Sequence, residues 1–256
     1  MTLSSLPILY HDDALIAVHK PAGLLVHRTE LDRERDVALQ RVRDQIGRRV
    51  YPVHRLDRAT SGVLVFALRP EVASALAADF RGRTLAKHYL AVVRGWTPES
   101  GVIERPLAKH KGGEKRAARS RYVRLATVEL PIPVDKWPAA RYSLVLIALD
   151  TGRRHQIRRH MDGISHPLIG DTTHGSGPHN RLFREHLDCH RMLLHAWRFG
   201  LRHPVSGEAM TIAAPPPADF HRVCERLGWD RHSVDLDGAL TRLPGGSTQG
   251  RSANDG

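Results

Sequence analysis

Cysteine is scarce in this chain, with two residues, Cys189 and Cys224, among 256. They make no C-x-x-C pair and no ladder of spacings, which excludes a disulfide framework and a thiolate zinc site. Long apolar runs are also lacking; none approaches the roughly 20 residues that a membrane-spanning helix needs. The opening MTLSSLPILYHDD has neither the basic and apolar regions nor the cleavage site of a secretion signal. The expectation is a cytoplasmic protein with reduced thiols and no membrane contact. Acidic residues are the third shortage: 27 Asp and Glu stand against 39 Lys and Arg, a formal charge of +12. Such an excess suits a partner that carries phosphates. What is present in quantity is apolar material, 41% of the chain, enough for a buried core in one large domain or two small ones.

The stretch ILYHDDALIAVHKPAGLLVH (8–27) reads as two short strands about the HDD turn, with Pro21 and Gly23 making a second turn. Leu39, Val42 and Ile46 recur at helical spacing within 34–46, and Gly47 is a stop. Pro70 opens a second helix with Val72, Leu76 and Phe80 on one face. KHYLAVVRG (87–95) and RYSLVLIAL (141–149) read as strands, and the prolines of LPIPVDKWPAA (130–140) make that segment a loop. LAKHKGGEKRAARSRYVR (107–124) reads as an exposed basic loop entering a strand. TGRRHQIRRHMDG (151–163) is a turn into a short helix. RMLLHAWRFGLRHP (191–204) is a strand, MTIAAPPP (210–217) a shorter one, and ADFHRVCERLG (218–228) a terminal helix with Phe220, Val223 and Leu227 inward. The Gly/Ser-rich stretch 231–256 reads as a disordered tail, which leaves 1–230 as the folded unit. There are no repeats, and strands and helices do not alternate regularly, so a mixed α+β sheet is expected.

HRLDRATSG (54–62) sets one carboxylate, Asp57, between Arg55 and Arg58, ahead of the apolar run VLVFAL. Two readings are open at this point. Local hydrogen bonds can make Asp57 a neutralised turn residue, whereas an acid held ionised by cations is what a base or nucleophile requires. HLDCHRMLLH gathers His186, Cys189, His190 and His195, types that zinc accepts, but at a spacing that fits no ligand pattern, so no metal is expected. In 107–124 the charge is of one sign but for Glu114, and Tyr122 is interleaved. That favours RNA phosphate contact, through Lys115, Arg116 and Arg119, over a merely solvated face.

Taken in order, these islands resemble the pseudouridine synthases that modify ribosomal and transfer RNA and carry the motif HRLDxxTSG. HRLDRATSG matches it at every defined position. KHYLAVVRG is similar to the family's second motif and TGRRHQIRRH to its third, followed by HPLIGD (166–171) and RMLLHA (191–196); the resemblance covers residues 8–229. It implies an α+β fold with a mixed, largely antiparallel central sheet flanked by helices and loops. It also implies the isomerisation of uridine, in which the N1–C1′ bond breaks, uracil turns over and C5 joins C1′, with no cofactor or metal. On that resemblance Asp57 is the catalytic carboxylate and Arg158 the cation that keeps it charged. Tyr89 stacks on the extracted uracil and helps to remove the C5 proton, while Leu194 packs on the other face of the base. Arg55 enters the space left by the flipped nucleotide, with His54 and Arg58 also on the RNA side. LLVHRTELDR, VRDQIG, LATVELP and IGDTTHG resemble most the members that act on transfer RNA at uridine 65 of the T-stem. A ribosomal RNA uridine is the alternative, and a monomer is expected. A non-catalytic RNA-binding protein on the same scaffold would not need Asp57, Tyr89 and Arg158 together. A metal-dependent nuclease would need clustered ligands.

Overall fold

The computed structural model describes residues 5–28, 36–81, 85–110, 112–229 and 234–245. The chain opens with a hairpin of β1 (Ile8–His11) and β2 (Leu15–Lys20), whose turn is closed by Asp12 accepting the Ala14 and Leu15 N–H groups at 2.8 and 2.9 Å. Helix α1 (Ala38–Ile46) has no side-chain cap. Its first free N–H groups are taken instead by the Leu25 and Val26 carbonyls, at 2.8 and 3.0 Å. Strand β3 (Tyr51–Pro52) leads into the HRLD loop and β4 (Ser61–Ala67), every residue of which is buried. Helix α2 (Pro70–Arg81) starts on proline, whose fixed φ suits the first turn.

Next come β5 (Ala86–Arg94), β6 (Ser100–Glu104), the short strands β7 (Leu107–Ala108) and β8 (Lys115–Arg116), and the long pair β9 (Arg119–Leu130) and β10 (Ala140–Leu149). Helices α3 (Gln156–Gly163) and α4 (Gly177–Leu187) precede β11 (Leu194–Arg202), β12 (Ala209–Ala213), α5 (Ala218–Arg226) and α6 (Leu236–Thr241).

The main sheet runs β1-β2-β4-β11-β5-β10-β9-β6, with β3 beside β4 and β12 beside β11. All its pairings are antiparallel except β4 with β11. Along β5 and β10 the apolar side chains alternate between two cores, as the two-residue period of a strand requires. Tyr89, Ala91, Val145 and Ile147 face the core shared with Val42 of α1, Leu76 of α2 and Ile157 of α3. Leu90, Val92, Leu144 and Leu146 face Phe183 of α4 and Phe220 of α5. The parallel junction of β4 and β11 depends on Gly62. Its φ is +118°, and a Cβ there would lie 2.1 Å from the Ala196 carbonyl oxygen. No side chain fits that approach.

The fold differs from the sequence reading at α4, which the sequence did not suggest, and at two further segments. Residues 107–116 are not a plain loop, since β7 and β8 pair as a separate ribbon. The tail expected to be disordered from 231 carries α6, whose first turn is capped by Asp235 accepting the Gly238 N–H at 2.9 Å. Ala239 and Leu243 are buried in the second core, so apolar side chains spaced through a Gly-rich segment outweigh its composition. Residues 246–256 lie outside the described residues.

Candidate active site

A cleft of about 750 Å³ opens on the face covered by α1, α2 and α3, and Asp57, Tyr89, Arg158 and Leu194 all line it. The HRLD loop reaches it from β3, held from beneath by Lys20. The Lys20 ammonium is fully buried and donates to the carbonyls of Pro21, Leu24 and Arg58 at 2.8, 2.7 and 3.1 Å. Burial, then the charge of Arg191, lowers its pKa to about 7, with Asp57 acting in the opposite sense. The Gly23 N–H adds a further tie to the Arg58 carbonyl, at 2.8 Å.

Helix α3 brings Arg158 in from the other side. Gln156 staples the helix start, donating to the Arg119 carbonyl and the Ser120 hydroxyl at 2.9 and 3.0 Å and accepting the Thr151 hydroxyl at 2.8 Å. Two residues later the Arg158 guanidinium grips Asp171 bidentately, Nε and Nη2 each donating at 2.7 Å. Its remaining Nη1 donates to Asp57 Oδ2 at 3.2 Å. Asp171 has no side-chain exposure and also accepts the Thr173 and His174 N–H groups at 2.8 and 3.0 Å. Burial raises its pKa, but Arg158 and those N–H groups outweigh burial and hold it below the ordinary carboxylate value. Paired donors fix the plane of a guanidinium as a single contact cannot, so Arg158 is oriented before any ligand arrives.

The other oxygen of Asp57 faces His155, whose Nε2 is 4.0 Å from Oδ1. His155 sits at the N-cap of α3 with φ +53°, a left-handed conformation that costs a non-glycine residue about 1 kcal/mol or more. Its Nδ1 lies 3.2 Å from His174 Nε2. Burial is the largest influence on His155 and lowers its pKa, so the ring is neutral near pH 7.

Tyr89 stands on β5 between Ile147 of β10 and Ala196 of β11. Burial, reinforced by the charge of Asp57, raises its phenol above the ordinary value, so the hydroxyl keeps its proton. Lys87, two residues earlier on the same side of the strand, is buried and donates to the Phe80 carbonyl at 3.2 Å.

Of the other residues singled out from sequence, Arg55 and Arg116 line the cleft and are exposed. Lys115 is exposed on β8 beside Arg116. His54 lines the wall, but its Nε2 accepts the Val65 N–H at 3.0 Å and its ring stacks on Phe80 at 4.2 Å, which makes it an anchor for the loop. Arg58 turns away to donate to the Gly23 carbonyl at 2.9 Å. Arg119 is engaged by Glu104 and Asp150. His195, fully buried, is far from a ligand role: its Nε2–H donates to the Ala214 carbonyl at 2.9 Å, so its Nδ1 accepts the Ser61 hydroxyl at 2.8 Å. His190 is exposed beside Asp188. Among the described residues no three His, Cys, Asp or Glu gather as a metal site would require. Asp171, His155 and Lys20 were not marked from sequence as site residues. The signal for Asp171 was its place at the end of HPLIGD.

Residues 14–162 match the family model described as RNA pseudouridylate synthase. The chain belongs to that family and is an RNA pseudouridine synthase, an enzyme that isomerises uridine within RNA. Curated relatives narrow the likeness. The chain is 47% identical over 244 residues to the tRNA pseudouridine synthase C of Pectobacterium carotovorum subsp. carotovorum, covering 91% of this chain and 65% of that relative. It is 44% identical over 235 residues to the Vibrio cholerae protein of the same name, covering 88% and 96%, and 46% identical over 243 residues to that of Yersinia pestis, covering 91% and 95%. In fold it is similar to human RNA pseudouridylate synthase domain containing 1, with a TM-score of 0.71 at 24% identity over 94% of this chain and 97% of that one. The human domain containing 4 protein gives 0.67 at 23% identity, over 87% and 93%.

Proposed function

We propose that this enzyme isomerises a uridine of transfer RNA, at position 65 of the T-stem, acting as a cytoplasmic monomer without metal or cofactor. The observation that carries the chemistry is one carboxylate, Asp57, lining the cleft with one oxygen bonded to a pre-anchored arginine and the other facing His155. The transfer RNA assignment is supported by relatives that carry that substrate in their names.

The target uridine must leave its stack, because side chains cannot reach the sugar carbon of a base inside an A-form helix. Arg55, exposed at the mouth, fills the vacated space, and Lys115 and Arg116 take phosphates. The extracted base lies between Tyr89 and Leu194. Asp57 then either bonds to C1′ or takes a proton from the sugar. On both routes the electrons of the N1–C1′ bond leave with uracil, which turns and joins C5 to C1′ as the Asp57–C1′ bond breaks or the sugar proton is returned, and then loses the C5 proton. Both need Asp57 ionised once the base has excluded water, and Arg158 provides the opposite charge.

The test is pseudouridine mapping in a deletion strain together with tritium release from C5-labelled transfer RNA. Loss of pseudouridine at position 65, restored by the wild-type gene and not by Asp57→Ala, is expected. A loss confined to ribosomal RNA would replace the substrate while keeping the chemistry. Restoration by Asp57→Ala would refute the catalytic role.

A further inference from the structure

A second concavity, about 760 Å³, lies between the C-terminal half of α1, the Gly47 turn and β3. Its lining includes Arg43, Arg48 and Arg49 against a single acid, Asp44, which Arg43 already binds at 2.8 Å. Arg48 and Arg49 are both exposed, and neither has an acidic partner among the described residues. The Arg49 guanidinium lies 5.1 Å from the centroid of the half-buried Tyr51 ring. The groove thus holds two uncompensated cations, one of them braced on an aromatic face.

Its place in the chain gives these charges a use. Pro52 lines this groove and the next residue, Val53, lines the catalytic cleft. Both ends of the connection are fixed: β3 pairs with β4 at Tyr51–Ala67 and Pro52–Phe66, while Lys20 and Gly23 hold the Arg58 end. From Pro52 to Asp57 the chain can span at most about 18 Å. The groove therefore lies within reach of the few nucleotides that flank a uridine held at Asp57.

We infer that the Arg48–Arg49–Tyr51 groove is a second RNA-backbone site, which grips phosphates of the strand flanking the target uridine. The inference rests on the RNA-modifying reading of the neighbouring cleft. Guanidinium groups suit phosphate oxygens because they donate two parallel N–H bonds, and the Tyr51 ring limits where that of Arg49 can point. Each phosphate so bound releases counterions, which gives the site a measurable salt signature.

The experiment compares wild type, the double variant Arg48→Ala/Arg49→Ala and the charge-keeping Arg48→Lys/Arg49→Lys, using a full-length transfer RNA transcript and a short stem-loop that ends before the groove. Binding is followed across salt concentration and tritium release at saturating and limiting RNA, with urea midpoints to establish folding. The slope of log affinity against log salt should shrink by about 1.4–1.8 for two lost contacts in the alanine variant. That corresponds to roughly 30-fold weaker binding at 0.1 M salt, fading towards 1 M. The lysine variant should keep the slope, the loss in release should fall on KM, and the short stem-loop should show no difference between proteins. An unchanged slope in a folded alanine variant, an equal loss in the lysine variant, or an equal loss on the short stem-loop would overturn the site. Absence of tritium release by the wild type on every RNA would instead refute the reading of the cleft, and the binding slopes would still decide the groove.

Discussion

Arg158 commits two N–H groups to Asp171 and one to Asp57, and the two acids differ in depth, with 0% and 25% side-chain exposure. The outer contact serves chemistry and the inner one serves geometry, which separates two substitutions. Arg158→Ala removes both contacts and leaves Asp171 unpaired, which costs stability. In the folded protein it should also cut turnover by roughly 100-fold or more while RNA affinity changes little, since one preorganised charge contact is worth about that much. Single-turnover assays at saturating RNA check this, and a loss confined to binding would refute it. Asp171→Asn breaks a buried pair and should cost about 3–5 kcal/mol in urea unfolding as well as turnover. A second residue-level prediction concerns pH. Burial, its largest influence, holds the His195 pKa down to about 3, whereas an unfolded histidine titrates near 6.5. Between those values the unfolded chain binds a proton that the folded chain does not. Stability should therefore fall as the pH drops from about 6.5 towards 3, by up to about 1.4 kcal/mol per unit for this one group. Urea midpoints at pH 7, 6 and 5 should fall less steeply in His195→Gln; identical slopes would contradict the assignment.

At the scale of elements, the site is assembled where β4 and β11 run side by side. The HRLD loop enters β4 and Leu194 opens β11, so the register of this junction sets the position of Asp57 relative to Leu194 across the cleft. Gly62→Ala should cost about 2–6 kcal/mol, combining strain at positive φ with overpacking against Ala196. A midpoint within 0.5 kcal/mol of wild type would mean that the junction relaxes freely. VLVFAL of β4 showed in the sequence only as an apolar run, whereas strand β11 was legible because its apolar run is bounded by turn residues, and α2 because Val72, Leu76 and Phe80 recur on one face. The α4 helix was not. Its sequence GPHNRLFREHL is too polar to show a stripe, and it becomes helical because Leu182, Phe183 and Leu187 find the second core. The ion-pair partner of Asp57 was legible only through resemblance. A contact spanning 101 positions leaves no local pattern, and Asp171, which completes it, is 13 further from Arg158.

For the whole molecule, the boundary of the folded unit lies beyond residue 230. Helix α6 packs on β9 and β10, burying Ala239 and Leu243. A chain ended at 233 should lose about 2–4 kcal/mol of stability, the worth of one or two buried apolar side chains, while retaining turnover at low temperature. Equal midpoints would return that segment to the status of a tail. Composition misled here because it averages over positions, whereas burial depends on a few.

Sharing one arginine between two acids also fixes the charge of the cleft through the reaction. With Arg158 positive and both carboxylates ionised, the trio carries a net −1, and it is the cations around it in the same lining, Arg55, Lys109, Arg116, Arg153 and Arg154, that favour a polyanion. Once Asp57 bonds to the sugar or takes its proton, the trio becomes neutral, and Asp171 leaves Arg158 with no surplus charge to trap the departing uracil anion. On the proposed reading those lining cations, with the arginines beside Tyr51, supply the attraction that the trio does not. The cleft, so read, draws RNA in by the charges surrounding its catalytic trio, which itself stays without surplus charge while the base turns.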